Sequence, residues 1–168
     1  MILGCAVIAV TWVVTLGGQY SLTVNEDRLI NAQNEPQNWL LMNGDYGSMR
    51  YSKLTQINRD NVSDLRMVWA LALGGMQDVG QNGPEAELNP LIDNGFMYTS
   101  DGWGTVYKID ARNPDYGKLL WVADAGVDHE GNTSRSRGIA LWEESVLANL
   151  PDGRVIAIDR ENGEIIWD

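Results

Sequence analysis

Val155-Ile156-Ala157-Ile158-Asp159-Arg160-Glu161-Asn162-Gly163-Glu164-Ile165-Ile166-Trp167 runs from a strand-forming segment through a polar turn closed by glycine into a short apolar run that ends on an indole. A second copy lies upstream. Val106-Tyr107-Lys108-Ile109-Asp110 is followed by Gly117-Lys118-Leu119-Leu120-Trp121, with three extra residues, Pro114-Asp115-Tyr116, in the turn. A third tryptophan, Trp69, closes the run Leu65-Arg66-Met67-Val68-Trp69. The steps between these tryptophans are 52 and 46 residues.

A period of roughly 40–50 residues with several short strands per unit is the mark of a β-propeller. Asn94-Gly95, Asp101-Gly102 and Asp152-Gly153 are hairpin dipeptides, where positive φ is needed. Between them Phe96-Met97-Tyr98-Thr99, Gly104-Thr105-Val106-Tyr107 and Val146-Leu147-Ala148-Asn149 read as strands, so each unit is a meander of strand, turn, strand, turn, strand. One helical turn is expected in Ile57 to Leu65, with Asn58 as its N-cap and Asp60 in its first turn, and no strong helix elsewhere after residue 35. From residue 39 onward there are about 130 residues, under three units at this period. A propeller of fewer than four blades leaves sheet edges open, so a longer polypeptide is expected.

Composition agrees. The 168 residues are 44% hydrophobic and 21% charged, a globular balance. Seven Trp against one Phe point to a repeated structural role, and eighteen Gly to a turn-rich all-β chain. Net charge of −11 argues against nucleic-acid binding, which uses Lys and Arg to neutralise phosphates. With one cysteine, Cys5, no disulfide can form within the chain. Ile2-Leu3-Gly4-Cys5 is only superficially like a lipidation site, because the apolar run follows the cysteine instead of preceding it.

Residues 1–18 are apolar and uncharged, and fit the core of an export signal or an N-terminal anchor, although a basic leading segment is missing. The run is slightly short for a membrane span, which needs about 20 residues. Residues 19–168 are then the globular part, and the expected compartment is the periplasm.

Ala157-x-Asp159-x-x-Asn162-Gly163-x-x-x-Trp167 resembles the tryptophan-docking motif of the quinoprotein dehydrogenases, with Asn162 where Thr is usual. The ordered set Trp39-Leu40-Leu41-Met42-Asn43-Gly44-Asp45-Tyr46, Met49-Arg50-Tyr51-Ser52-Lys53-Leu54-Thr55-Gln56-Ile57-Asn58, Asn61-Val62 and Trp69 resembles the opening of the same family. Over residues 26–168 the chain is therefore similar to the pyrroloquinoline quinone (PQQ) dependent alcohol dehydrogenases of the methanol and ethanol dehydrogenase type. The resemblance implies an all-β chain forming the first two to three blades of an eight-bladed quinoprotein propeller. In Glu87-Leu88-Asn89-Pro90-Leu91 it implies that Glu87 borders the PQQ pocket, and in Arg137-Gly138-Ile139-Ala140 that Arg137 meets the carboxylates of PQQ. A planar guanidinium suits that task. The family usually has adjacent cysteines six and five residues before the arginine; here they are Gly131 and Asn132, which weakens the alcohol assignment more than the quinoprotein one.

For a complete enzyme the resemblance implies oxidation of a primary alcohol to an aldehyde by hydride transfer to PQQ, with Ca²⁺ or a lanthanide as Lewis acid and an Asp as general base. It further implies cytochrome c or ubiquinone as electron acceptor and a homodimer as a further association. The metal ligands and catalytic Asp are expected beyond residue 168, so no catalytic residue is assigned here. Two competitors stand beside this expectation. A PQQ-dependent sugar or polyol dehydrogenase shares the opening and lacks the cysteine pair, whereas a non-catalytic propeller scaffold lipoprotein has no need to point Glu87 and Arg137 at one cavity. His129, the only histidine, has no partners for a metal site or triad and is expected to be a solvated loop residue. Asp101-Gly102-Trp103-Gly104 lacks the following helix of a phosphate loop and is expected to be a turn.

Overall fold

In the computed structural model, residues 23–73, 85–130 and 135–168 are described. The apolar run at residues 1–18 lies outside them, as do Gly131, Asn132 and Ser134. Two four-stranded antiparallel meanders dominate. The first consists of β2 (Leu91–Asp93), β3 (Phe96–Ser100), β4 (Val106–Asp110) and β5 (Lys118–Ala123). The second consists of β7 (Ile139–Trp142), β8 (Ser145–Asn149), β9 (Val155–Asp159) and β10 (Ile165–Trp167). Two-residue strands, β1 (Glu85–Ala86) and β6 (Arg135–Ser136), pair in parallel just ahead of the two meanders. These are two consecutive blades of a β-propeller. Their shared core holds Val106, Leu141, Val146, Ile156 and Ile158, none more than 2% exposed.

The repeat seen in the sequence is a repeat in register. Trp121 faces Lys108 across β5 and β4, and Trp167 faces Ala157 across β10 and β9. Each outer strand slips by one residue at the same place, next to its tryptophan, so the bulge is part of the repeated unit. Trp69 and Trp121 also each have a glycine as a seat. A Cβ placed on Gly163 would lie 2.8 Å from the Trp121 ring, and one on Gly117 would lie 2.7 Å from the Trp69 ring. The Trp121 indole N–H donates to the Arg160 carbonyl at 3.2 Å. Thus the indole of one unit lies on the turn of the next, where a side chain would push it away.

Asp93, at the end of β2, is fully buried. It accepts from Arg28 Nη2 at 2.7 Å and from Arg160 Nη2 at 2.5 Å. Arg28 belongs to the short helix α1 (Glu26–Ile30), whose N-cap Asn25 accepts the Arg28 backbone N–H at 3.0 Å. The same guanidinium holds Glu35 through Nε at 2.9 Å and Nη2 at 2.6 Å. Val24 and Trp39 then bridge in antiparallel fashion to Glu143 and Ile92, which attaches the N-terminal segment to both blades.

Several sequence expectations change here. Each sheet has four strands, because the strings beginning at Glu87 and Arg137 run directly into innermost strands β2 and β7. The helical turn of residues 57–65 shrinks to a 3₁₀ turn, Val62–Asp64. Asn58 does not cap it: its side chain accepts the Asp60 N–H at 2.9 Å, and Asn61 stands at the N-cap. The Asn94-Gly95 turn has positive φ at both residues, 52° and 79°, as a type I′ hairpin requires. At Asp101-Gly102 the positive φ falls on Gly104 instead, because the Asp101 carboxylate takes the N–H groups of Trp103 and Thr105 and shapes a longer turn. Trp69 has a glycine seat like that of Trp121, but residues 65–70 form no strand.

Gly163 and Gly153 both have positive φ, 82° and 91°, yet only Gly163 is covered by an indole. Gly153→Ala is expected to cost about 1–2 kcal/mol from backbone strain alone. Gly163→Ala adds a clash and is expected to cost about 2–4 kcal/mol. Urea unfolding of the two variants compares them; equal losses would remove the indole contact as a source of stability.

The Arg112 guanidinium beside Asp110 pulls its carboxyl down to about 2. A lowered pKa contributes stability that is complete above the ordinary value of 3.8 and lost as pH falls through about 2. Asp110→Asn is expected to remove that part of the acid sensitivity, read as a flatter dependence of the thermal midpoint on pH across this window.

Candidate functional site

The parallel pairing of Glu85 with Arg135 and Ala86 with Ser136 brings the strings that begin at Glu87 and Arg137 side by side. The Glu87 N–H donates to the Ser136 carbonyl at 3.0 Å, which extends the pairing by one residue. Ser136 is buried, and its hydroxyl meets that of Ser100, at the end of β3, at 3.0 Å. One residue therefore ties both strings to the first blade. Immediately beyond it, Arg137 Nη2 stands 3.7 Å from Glu87 Oε2, with the side chains 69% and 42% exposed. The two predicted site residues are thus brought together on the innermost approach to adjacent blades, and not on outer strands.

At 3.7 Å this is an open ion pair and not a bidentate clasp. A guanidinium with five N–H donors keeps capacity for another carboxylate. Arg137 opens onto an apolar concavity of about 380 Å³, lined also by Met42, Gly138, Ile139, Ala140 and Leu147. Met42 is drawn in by its backbone: its carbonyl accepts Asn89 Nδ2 at 2.8 Å and Trp39 Nε1 at 3.3 Å. Among the described residues no group of three or more His, Cys, Asp or Glu is placed to hold a metal ion.

The neighbouring turn holds a pair that the sequence did not suggest. His129 is an exposed loop residue, but its ring lies flat on Trp103, with centroids 3.9 Å apart and planes at 11°. Asp101 builds the seat for Trp103, accepting its N–H at 2.9 Å and the Tyr107 hydroxyl at 2.9 Å. The Asp101–Gly104 segment is therefore a turn that presents an indole, as its lack of a following helix implied. Ser136, Asn89 and Met42 carried no sequence signal as site supports, since each works through its backbone or through a partner distant in sequence.

The chain matches, over residues 39–168, the family model described as PQQ, glucose/ethanol/alcohol dehydrogenase, β-propeller domain. It is 36% identical over 148 residues to the dehydrogenase subunit of alcohol dehydrogenase (quinone) of Gluconacetobacter polyoxogenes, covering 84% of this chain and 18% of that protein. Its structure is similar to that of the quinohemoprotein alcohol dehydrogenase ADHIIG of Pseudomonas putida HK5, with a TM-score of 0.74, 34% identity, and coverage of 86% of this chain and 20% of that one. It is also similar to a europium-containing methanol dehydrogenase, with a TM-score of 0.70, 27% identity, and coverage of 84% and 24%. The chain thus spans about a fifth of the length of these proteins.

Replacing Ser136 with Ala leaves the buried Ser100 hydroxyl unpaired and is expected to cost about 1–2 kcal/mol. The double variant Ser100→Ala/Ser136→Ala is expected to cost less than the sum of the single changes. Urea denaturation of the three variants measures the coupling; strict additivity would show that the hydroxyl pair contributes nothing.

Proposed function

Because the chain belongs to the PQQ-dependent alcohol dehydrogenase β-propeller family, we propose that it supplies one wall of the PQQ pocket in an exported enzyme that oxidises primary alcohols to aldehydes. The observation that carries this is the convergence of Glu87 and Arg137 beside an apolar concavity. Arg137 binds the carboxylates of the cofactor, and Glu87 holds the guanidinium in orientation without using all its donors. The floor of Met42, Ile139 and Ala140 packs against a flat ring and keeps water from it. When bound, PQQ with Ca²⁺ or a lanthanide as Lewis acid supplies the acceptor for the hydride. Blades other than these two supply the metal ligands and the carboxylate that takes the hydroxyl proton. Electrons then pass to cytochrome c or ubiquinone, and residues 1–18 direct the protein to the periplasm. The Trp69 and Trp121 seats act as the tryptophan docking that locks successive blades.

Gly131 and Asn132, in place of a cysteine pair, favour a second reading in which the substrate is a sugar or polyol. A pure scaffold is disfavoured, because nothing in blade stacking asks an acid and an arginine to share one mouth.

Reconstitution of the full-length protein with PQQ and Ca²⁺ or a lanthanide, followed by dye reduction on primary alcohols and on sugars, separates the readings. Arg137→Ala is expected to weaken PQQ about 10- to 100-fold, the worth of one charged hydrogen bond. Arg137→Lys is expected to fall between. No turnover with either substrate class, together with unchanged PQQ affinity in Arg137→Ala, would overturn the proposal.

A further inference from the structure

Lys108 is an amine in unusual surroundings. Of the three lysines, Lys53 and Lys118 are exposed, whereas Lys108 is 8% exposed in the middle of β4. Its Nζ donates to a neutral acceptor, the Arg160 carbonyl, at 2.5 Å. It lies 4.9 Å from the centre of the Phe96 ring and 5.7 Å from that of Tyr98. The Arg160 guanidinium stands 5.2 Å from the same Tyr98 ring, so two cations share one aromatic neighbour. Among the described residues no carboxylate reaches ion-pair distance of Lys108. Burial, followed by the Arg160 charge, pushes the amine below its ordinary pKa, against a weaker opposing pull from Glu161 and Asp159.

The fold does not require a lysine here. The position that repeats Lys108 in the second blade, opposite the outer-strand tryptophan in the same register, is Ala157. Nor is the amine sealed in. It lines a cavity of about 130 Å³ with Tyr98, Glu144, Asp159, Arg160 and Glu161, toward the sheet ends that carry the Asn94-Gly95 turn and away from Glu87 and Arg137.

We propose that Lys108 is a covalent modification site for short-chain aldehydes, which enter this cavity and condense with its ε-amine. The nitrogen lone pair forms a bond to the carbonyl carbon, one N–H proton moves to the oxygen to give a carbinolamine, and the second follows as the C–O bond breaks, releasing water and leaving an imine. No oxidant or reductant is needed. Glu144, Asp159 and Glu161 line the same cavity, and their negative charge favours a cationic iminium. The same acids disfavour the anionic carbamate that carbon dioxide would bring. That such aldehydes are produced beside this chain rests on the alcohol dehydrogenase reading above; the reactivity of Lys108 does not.

The test is reductive trapping of the full chain with propanal and cyanoborohydride near neutral pH, followed by peptide mapping. Lys108 is expected to be alkylated faster than Lys53 and Lys118, because its buried amine opens onto the cavity and gives up its proton more readily than an exposed one. Lys108→Arg keeps the charge and the donor, and is expected to lose the fast-reacting site while melting at the same temperature. Labelling of Lys108 no faster than Lys53 and Lys118, or a fast-reacting site that survives in Lys108→Arg, would overturn the proposal. Because the readout is mass without turnover, that failure leaves the dehydrogenase reading standing. Absence of alcohol oxidation in the full-length protein with Lys108 labelling intact would remove only the aldehyde's source.

Discussion

A carboxylate with no access to water carries the two blades. Asp93 lies at the end of the innermost strand of the first blade and is closed over by Arg28 from the N-terminal helix and Arg160 from the second blade. With Glu35 on the far side of Arg28, two acids and two guanidiniums form a group of zero net charge. A buried charge is tolerated only under such pairing, and loss of one partner strands the rest at a cost of about 3–5 kcal/mol. The consequence reaches further than the ions. Arg160 is held by its side chain, which fixes its backbone, and its carbonyl receives both the Trp121 indole and the Lys108 ammonium. The hydrophobic seat of one blade upon the next thus depends on an ion pair 67 residues apart in sequence.

What the sequence made legible and what it did not follows from how each feature is encoded. The outer strands and their turns carry local signals: β-branched residues, a glycine at a fixed offset, a terminal tryptophan. These placed β4, β5, β9 and β10. The innermost strand β2 has only three residues and follows a proline, too short for alternation to register. Arg160 sits in Asp159-Arg160-Glu161-Asn162, which reads as a solvated turn, and nothing local says that its side chain turns inward to Asp93. Likewise Trp103 and His129 are 26 residues apart, and only the fold stacks them. Glu87 and Arg137 stand out because each heads a recognisable string, whereas Ser136, which holds those strings side by side, acts through a carbonyl that any residue possesses.

The two ends of the sheets are built differently. The end that carries the Asn94-Gly95 turn is cross-linked by the ion group and by the indole on Arg160. The other end, with Glu87, Arg137 and the Trp103–His129 stack, is held by neutral contacts and by the hydrogen bonds around Asp101 and Met42, and leaves Glu87 and Arg137 in the open.

Each blade turns an indole outward on one side and a bare glycine on the other, so the contact between neighbours is heterologous: the two surfaces that meet are never the same surface. Such contacts have no built-in stopping point. Added in series, they close into a disc when the rotation per step divides the full circle, and otherwise wind into an open screw. Trp121 is 9% exposed on its seat, while Trp167 at the same register is 49% exposed. The distance from indole to glycine therefore sets an angle as well as an energy, and a small change in that spacing would alter how many blades the circle holds.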